Sequence, residues 1–164
     1  MEEKVATEAV TVMTLVDPSG NKALLTQCMA LERKCFSKHE AMDVEKETRG
    51  RRSTLVCAVT DVGAQSPVCV GYAVTQRTSA VAALVKLVVN PGWRQRGVGR
   101  QLLCHTLDLA RDGRAAVCTL HVDEANEAAQ RLYYSVGFQV TARRENFYRP
   151  GRHALTMDLV LADG

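Results

Sequence analysis

The sequence predicts a single α/β domain with a mixed, mostly antiparallel sheet and flanking helices. Three observations support this fold class: apolar β-branched segments between turn residues, amphipathic segments with helical spacing, and short connections. The chain has 164 residues, of which 46% are hydrophobic and 24% are charged. A chain of this size can bury one real core. We therefore expect residues 1–164 to form one domain.

Seven segments of the chain are candidates for β-strands. They lie at 10–16, 55–60, 68–76, 81–89, 115–122, 138–142 and 154–161. Only Arg77 to Ala80 separate the third candidate from the fourth, which predicts a hairpin. The early strands should therefore run antiparallel.

Helical spacing of apolar residues predicts three longer helices and one short helix between the strands. They lie at 22–36, within 37–50, at 99–111 and at 126–136. Asn126 is a plausible N-cap, and Gly137 stands where a left-handed residue ends a helix. The helix that begins at Gly99 should cross over between two parallel strands.

Composition excludes several classes of protein. No apolar run approaches the roughly 20 residues that cross a bilayer, and the acidic N-terminus does not resemble a secretory signal. We expect a location in the cytoplasm or the nucleus, without a membrane partner. A net charge of +3 is too small to predict nucleic acid as the main partner. Six cysteines without CxxC spacing predict reduced core thiols, and no metal site is expected.

A glycine turn, Arg94-Gln95-Arg96-Gly97-Val98-Gly99, follows a predicted strand and opens a predicted helix. The first N–H groups of a helix lack internal partners, and glycine lets a phosphate approach them. Arg94, Arg96 and Arg100 add donors for a pyrophosphate. The alternative is a tight turn with a solvated basic surface. The Walker and dinucleotide motifs do not fit, since Arg100-Gln101 follows Gly99 and Leu102 occupies the third glycine position.

Two blocks of residues resemble the GNAT superfamily of acetyltransferases. They are Arg94-x-x-Gly97-x-Gly99 and Asn126-x-x-Ala129-x-x-Leu132-Tyr133-x-x-x-Gly137-Phe138. The resemblance covers nearly the whole chain and implies acetyl-CoA as the acetyl donor, with the fourth and fifth strands splayed around its pantetheine arm. The cofactor-binding residues that it implies are Leu87, Val88, Val89, Arg94, Gln95, Arg96, Gly97, Val98, Gly99, Arg100, Asn126 and Tyr133.

More narrowly, the C-terminal half is similar to the N-terminal (α-amine) protein acetyltransferases. His121 lies twelve residues before Tyr133, where that group has an acid or histidine. Asn146-Phe147-Tyr148 matches an aromatic pair expected in the loop before the last strand, although Phe147 replaces the first tyrosine. The resemblance implies substrate contacts at Phe36, Phe147 and Tyr148.

The resemblance also implies a direct attack of an amine on the thioester. His121 would act as general base and Tyr133 would protonate the leaving sulfur, while N–H groups near Val88 would hold the carbonyl oxygen. The alternatives are a packed or surface His121, and core positions for Tyr133 and Phe36. The acceptor is expected to be a protein or peptide N-terminus. Small-molecule N-acetylation and non-catalytic acyl-CoA binding remain alternatives.

Overall fold

A computed structural model describes residues 9–15, 18–61 and 65–161 of the chain. The described strands are β1 Thr11–Leu15, β2 Ser53–Thr60, β3 Val68–Thr78, β4 Val81–Val89, β5 Val117–Asp123, β6 Gln139–Arg149 and β7 Arg152–Val160. The described α-helices are α1 Lys22–Cys35, α2 Val44–Thr48, α3 Val98–Asp112 and α4 Glu127–Ser135. This order matches the prediction. Val16, the predicted end of the first strand, lies outside the described residues.

The strands form one sheet in the order β1-β2-β3-β4-β5-β7-β6. β4 and β5 pair in parallel, and every other neighbouring pair is antiparallel. α3 connects β4 to β5, as a crossover between parallel strands requires. The mixed, mostly antiparallel sheet is therefore confirmed.

Strand alternation sorts the apolar residues of the sheet into two cores. Leu55 and Cys57 pack with α1, whereas Val56 and Ala58 pack with α3. Tyr133 of α4 belongs to the cluster that also holds apolar residues of α3. Successive residues of a strand point to opposite faces. Helices α1 and α3 therefore cover opposite sides of the sheet, and α4 lies on the side of α3.

The cysteines of the described chain are free thiols, as expected. Three of them meet in the core on the α1 side, where the Cys28 sulfur lies 3.4 Å from that of Cys57 and 3.8 Å from that of Cys69. Hydrogen bonds to these two thiols, together with burial, raise the pKa of the Cys28 thiol. These cysteines are distant in the sequence, so no spacing motif reveals their contact.

A β-bulge at Val85 divides β4 into two parts. Thr75 pairs with Leu84 and Val74 pairs with Lys86, so β3 has no partner for Val85. The parallel pairing with β5 also stops at Leu84, although both strands continue. A bulge bends its strand and increases the local twist. The splay between the fourth and fifth strands that the resemblance implies therefore begins at Val85.

The hairpin of β6 and β7 corrects one sequence prediction. Asn146-Phe147-Tyr148 lie within β6 rather than in a loop before the last strand, and β6 extends seven residues beyond its predicted end at Ala142. The ladder is nevertheless interrupted there, because Glu145–Tyr148 stand opposite His153 alone. Asn146 adopts a left-handed φ of 53°. The residues Glu145–Tyr148 do not pair regularly with β7. They form an irregular arm of β6 that carries the rings of Phe147 and Tyr148.

Candidate active site

The glycine turn lies at the N-terminus of α3 and forms one wall of a cavity of about 470 Å³. Gly97 has a left-handed φ of 79°, and a Cβ atom there would meet nothing within 4 Å. No side chain caps α3 at this position. The first residues of the helix therefore line the cavity without a side-chain cap, and their N–H groups carry the partial positive charge that an anion favours. This geometry fits a pyrophosphate.

The arginines of the turn occupy different places. Arg94 Nε donates to the Val89 carbonyl at 3.3 Å, and Arg100 Nη1 donates to Ser135 Oγ at 2.9 Å. Both arginines line the cavity. The Arg96 guanidinium lies 4.8 Å from the centre of the Trp93 ring. Arg94 and Arg100 therefore line the cavity beside the N-terminus of α3, whereas Arg96 stacks on Trp93 and does not line the cavity.

The splayed part of β4 supplies the second wall of this cavity. The Asn90 N–H donates to the Val70 carbonyl at 2.8 Å, which fixes which residues of β4 face β3. Ladder alternation then directs the main chain of Val88 toward β3, and that of Leu87 and Val89 toward the gap. Leu87 and Val89 line the cavity, whereas the Val88 side chain is buried on the α1 side. The main-chain groups that face the gap are therefore those of Leu87 and Val89, while those of Val88 pair with β3.

A second cavity, of about 770 Å³, lies on the α1 side of the splay. It brings together the predicted substrate residues Phe36, Phe147 and Tyr148 with His121. The residues shared by both cavities are Leu87, Asn126, Ala129 and Tyr133. The gap between β4 and β5 thus connects the cavity at the glycine turn, on one face of the sheet, with an aromatic-lined cavity on the other.

Asn126 and Tyr133 are fixed by the two ends of α4. Asn126 Oδ1 accepts a hydrogen bond from the Ala129 N–H at 3.1 Å, so the predicted N-cap is present. At the other end, Gly137 has a φ of 103°, and the Phe138 N–H bonds the Tyr133 carbonyl at 3.1 Å. This left-handed ending stops the helix just after Tyr133 and holds it over the splay.

Tyr133 combines core packing with access to the site. The Tyr133 ring packs edge-on against the Phe138 ring, with the two ring centres 5.8 Å apart, and Tyr133 is 8% exposed. The Tyr133 hydroxyl has no hydrogen-bond partner within the described residues. It is not completely buried, however, because Thr106 Oγ1 is the unpartnered side-chain atom that is fully buried among those residues. Burial, with nearby Tyr148 and Cys118, raises the pKa of Tyr133. The side chain therefore offers a proton and retains it at neutral pH.

His121 projects from β5 into the second cavity. Its Nδ1 lies 3.0 Å from Thr156 Oγ1, and its ring centre lies 4.8 Å from that of Phe147. Burial lowers the pKa of His121, and the Arg144 guanidinium lowers it further, while Asp158 opposes them. The imidazole is therefore neutral at neutral pH and can accept a proton, and Thr156 orients its ring.

The structure also brings charged residues into the second cavity. Glu40 lies in the loop after α1, where the resemblance places the first residue of the peptide, whereas sequence reasoning missed Lys86, Asp123 and Arg152. Glu32 lies behind them, 1% exposed. Two signals were available in the sequence. Glu32 follows Cys28 by four residues on the apolar face of α1, and Lys86 interrupts the apolar run of β4.

Within the described residues, no helix is both long enough and apolar enough to span a bilayer.

Comparison with known proteins places these features in a family. Residues 25–138 match the model of the Acetyltransferase (GNAT) family. The chain is 47% identical to N-alpha-acetyltransferase RimI of Mycobacterium tuberculosis over 70 residues, which are 42% of each protein. It is 36% identical over 77 residues to the [Ribosomal protein bS18]-alanine N-acetyltransferase of Escherichia coli, covering 47% of this chain and 52% of that protein. The chain thus spans about half the length of these curated relatives.

A solved structure supports the same fold over a greater length. The ribosomal-protein-S18-alanine N-acetyltransferase from Escherichia coli superposes with a TM-score of 0.77 at 24% identity, covering 95% of this chain and 96% of that one. The family match begins within α1, continues through α4, and includes the glycine turn and the splayed strands. With a GNAT family match over most of its length, and with the sheet, splay and helix N-terminus in place, the chain belongs to the GNAT family of acetyltransferases.

Proposed function

We propose that this protein is an acetyl-CoA-dependent N-acetyltransferase whose acceptor is the α-amine of a protein or peptide. One observation carries the proposal. The cavity at the glycine turn and the cavity around His121 meet at Tyr133 and Asn126, in the gap between β4 and β5. A donor on one face of the sheet and an amine on the other would meet there. The cytoplasmic location remains a prediction.

The first cavity suits the donor. The open N-terminus of α3 would hold the pyrophosphate, with Arg94 and Arg100 beside it. The main-chain groups of Leu87 and Val89 that face the gap would pair with the amide groups of the pantetheine arm. Acetyl-CoA supplies an acetyl group activated as a thioester.

His121 and Tyr133 divide the proton transfers between them. A peptide α-amine has a pKa near ~8, against ~10.4 for lysine, so it needs only modest help to become neutral. His121 accepts its proton, directly or through water, since its lowered pKa keeps the imidazole neutral. Tyr133 donates its hydroxyl proton to the departing sulfur, and the burial that raises its pKa keeps that proton in place beforehand.

The acceptor is tested with matched peptides. Each peptide is offered once with a free N-terminus and an internal lysine, and once with the N-terminus blocked and the lysine free. Spermidine, an amino sugar and free amino acids form the small-molecule set. Thiol release from acetyl-CoA and the product masses are measured. We expect turnover of free N-termini only. Turnover confined to small amines would instead assign a small-molecule acetyltransferase, and CoA binding without turnover would assign a regulatory protein.

A further inference from the structure

Lys86 is a charged residue in an otherwise apolar stretch of β4, and the bulge at Val85 decides where it points. Before the bulge, Ala82 and Leu84 pack on the α3 side. After it, Val88 packs on the α1 side, and Lys86 shares that direction by strand alternation. The bulge thus turns the ammonium toward the start of the segment that joins α1 to α2, residues 36–43.

The Lys86 ammonium contacts this segment and the end of α1. It lies 2.9 Å from Glu32 Oε1 and 3.3 Å from the Glu40 carbonyl oxygen, and it stands 3.6 Å from the centre of the Phe36 ring. An ammonium has three N–H donors. These contacts account for them, so Lys86 holds protein groups and is not available to pair with an acceptor side chain.

Glu32 holds the other end of the same segment. It accepts hydrogen bonds from the Met42 N–H at 2.7 Å and from the Tyr72 hydroxyl, in addition to Lys86. A buried ion pair stabilises a fold little more than well-packed apolar residues would. The contacts of Glu32 and Lys86 instead define where Phe36, Glu40 and Met42 lie relative to the sheet.

Arg152 fastens the segment from the opposite side of the cavity. Its guanidinium donates to Asp123 Oδ2 at 2.6 and 2.9 Å and also to the Glu40 carboxylate. It lies 5.0 Å from the centre of the Tyr148 ring. One side chain therefore links the α1–α2 segment, the end of β5 and the irregular arm of β6, all of which border the second cavity.

We infer that Lys86 and Arg152 are positioning residues for acceptor binding. Together they hold the α1–α2 segment beside the second cavity. Lys86 contacts the segment from β4, and Arg152 contacts it from β7. Both act through Phe36 and Glu40 rather than on the reacting atoms. The inference rests on the proposed function, since it assumes that the second cavity receives the acceptor.

Two variants release the segment from one anchor each. Arg152→Gln removes the outer anchor. The double variant Glu32→Gln/Lys86→Met removes the inner ion pair without leaving a buried charge unpaired. We expect each to raise the KM for a peptide acceptor about tenfold or more, while kcat changes by less than about threefold. The KM for acetyl-CoA should not change. The single variant Lys86→Arg, with Glu32 unchanged, keeps the positive charge and should retain most of the peptide affinity of the wild type.

Arg111→Gln is the matched control. It removes an arginine–carboxylate pair with Asp108 on the surface of α3, outside both cavities, and should leave both KM values unchanged. A merely structural role for the anchors would lower the melting temperature and impair binding of acetyl-CoA as well as of peptide. That result, or an unchanged peptide KM in both anchor variants, would overturn the inference.

Hydrogen exchange separates this inference from the proposed function. If the wild-type protein acetylates no peptide, the proposed acceptor is wrong, whatever the variants do. Amide protection in residues 36–43 is then compared between wild type and the two anchor variants. We expect faster exchange in this segment alone, with α3 and α4 unchanged. Equal protection in all three proteins would show that Lys86 and Arg152 do not hold the segment.

Discussion

At the scale of single residues, the proposed mechanism uses two side chains whose surroundings shift their pKa values in opposite directions. His121 stands in a half-open cavity beside Thr156 and Phe147, where burial and Arg144 lower its pKa. Tyr133 is held in the core by Phe138, and burial raises its pKa. At neutral pH one is a neutral base and the other an intact acid, which is the assignment that amine acetylation requires.

The lowered pKa of His121 can be measured by NMR titration of its imidazole protons. We expect a midpoint below the ordinary value of ~6.5. Arg144→Gln removes a positive charge and should raise the midpoint, whereas Asp158→Asn removes the opposing negative charge and should lower it. A midpoint at or above the ordinary value, or shifts of the opposite sign, would contradict this electrostatic account.

The same shift fixes the sign of a stability effect. Because the folded pKa of His121 lies below its unfolded value, the unfolded chain takes up a proton first as the pH falls. The stability contributed by the neutral histidine is present above pH ~6.5 and is lost as the pH falls from there through the folded pKa. His121→Gln should flatten this part of the pH–stability curve.

Tyr133→Phe separates the hydroxyl from the ring. The ring keeps its contact with Phe138, so we expect unfolding free energy to change by about 1 kcal/mol or less. The missing proton donor should lower kcat about 100-fold, with little change in acetyl-CoA affinity, because the interaction strengthens as charge develops on the sulfur. Steady-state kinetics and calorimetry measure both. An unchanged kcat in the folded variant would leave Tyr133 with a packing role alone.

At the scale of elements, the N-terminus of α3 is kept open by a residue that cannot cap it. Gly97 has no side chain to bond the first N–H groups, and its left-handed φ of 79° turns the chain directly into the helix. Gly99 is placed more tightly, since a Cβ there would lie 3.3 Å from the Leu132 side chain. The two glycines thus serve different purposes, one toward the cavity and one toward α4.

Gly97→Asp tests the open helix terminus, with Gly97→Asn as its neutral match. Both residues tolerate left-handed φ better than most, and both cap helices well, so the free protein should remain folded. In the wild type, acetyl-CoA at a hundredfold excess over Kd should add about 2.7 kcal/mol of stability, or roughly 5–10 °C in Tm. The carboxylate of the aspartate variant should abolish this shift by repelling the pyrophosphate, and the asparagine variant should keep part of it.

Differential scanning fluorimetry across a range of acetyl-CoA concentrations measures these shifts. An aspartate variant that binds as the wild type does would place the pyrophosphate elsewhere. No shift in the wild type at millimolar acetyl-CoA would remove the basis for the donor assignment itself.

At the scale of the whole molecule, the sheet separates two cavities, which meet at an opening between β4 and β5. α1 and α2 cover one face and α3 and α4 the other, and the proposed function assigns the acceptor to the first face and the donor to the second. The opening exists because the parallel pairing of β4 with β5 ends at Leu84 and Leu120. Val85, the bulged residue at this point, lines the second cavity and marks where the gap between the two strands begins.

Local sequence preferences determined the order of the helices and strands and the ends of several helices, independently of the tertiary structure. The element order, the glycine turn, the Asn126 cap and the left-handed Gly137 were all predictable, because each depends on residues within about one turn of each other. The pairing of His121 with the aromatic arm was predictable only through the family resemblance. The position of that arm inside β6 was not, since it depends on the ladder with β7.

Tertiary structure alone decided the register-dependent features. The bulge at Val85 reverses which residues of β4 face α1, and only the packing of β3 against β4 reveals it. The same bulge brings Lys86 to Glu32, across 54 residues of chain, and Arg152 reaches Glu40 across 112. A sequence pattern records what each residue prefers next to its neighbours. It does not record which distant residue shares its face of the sheet, because that is settled by how the whole core packs.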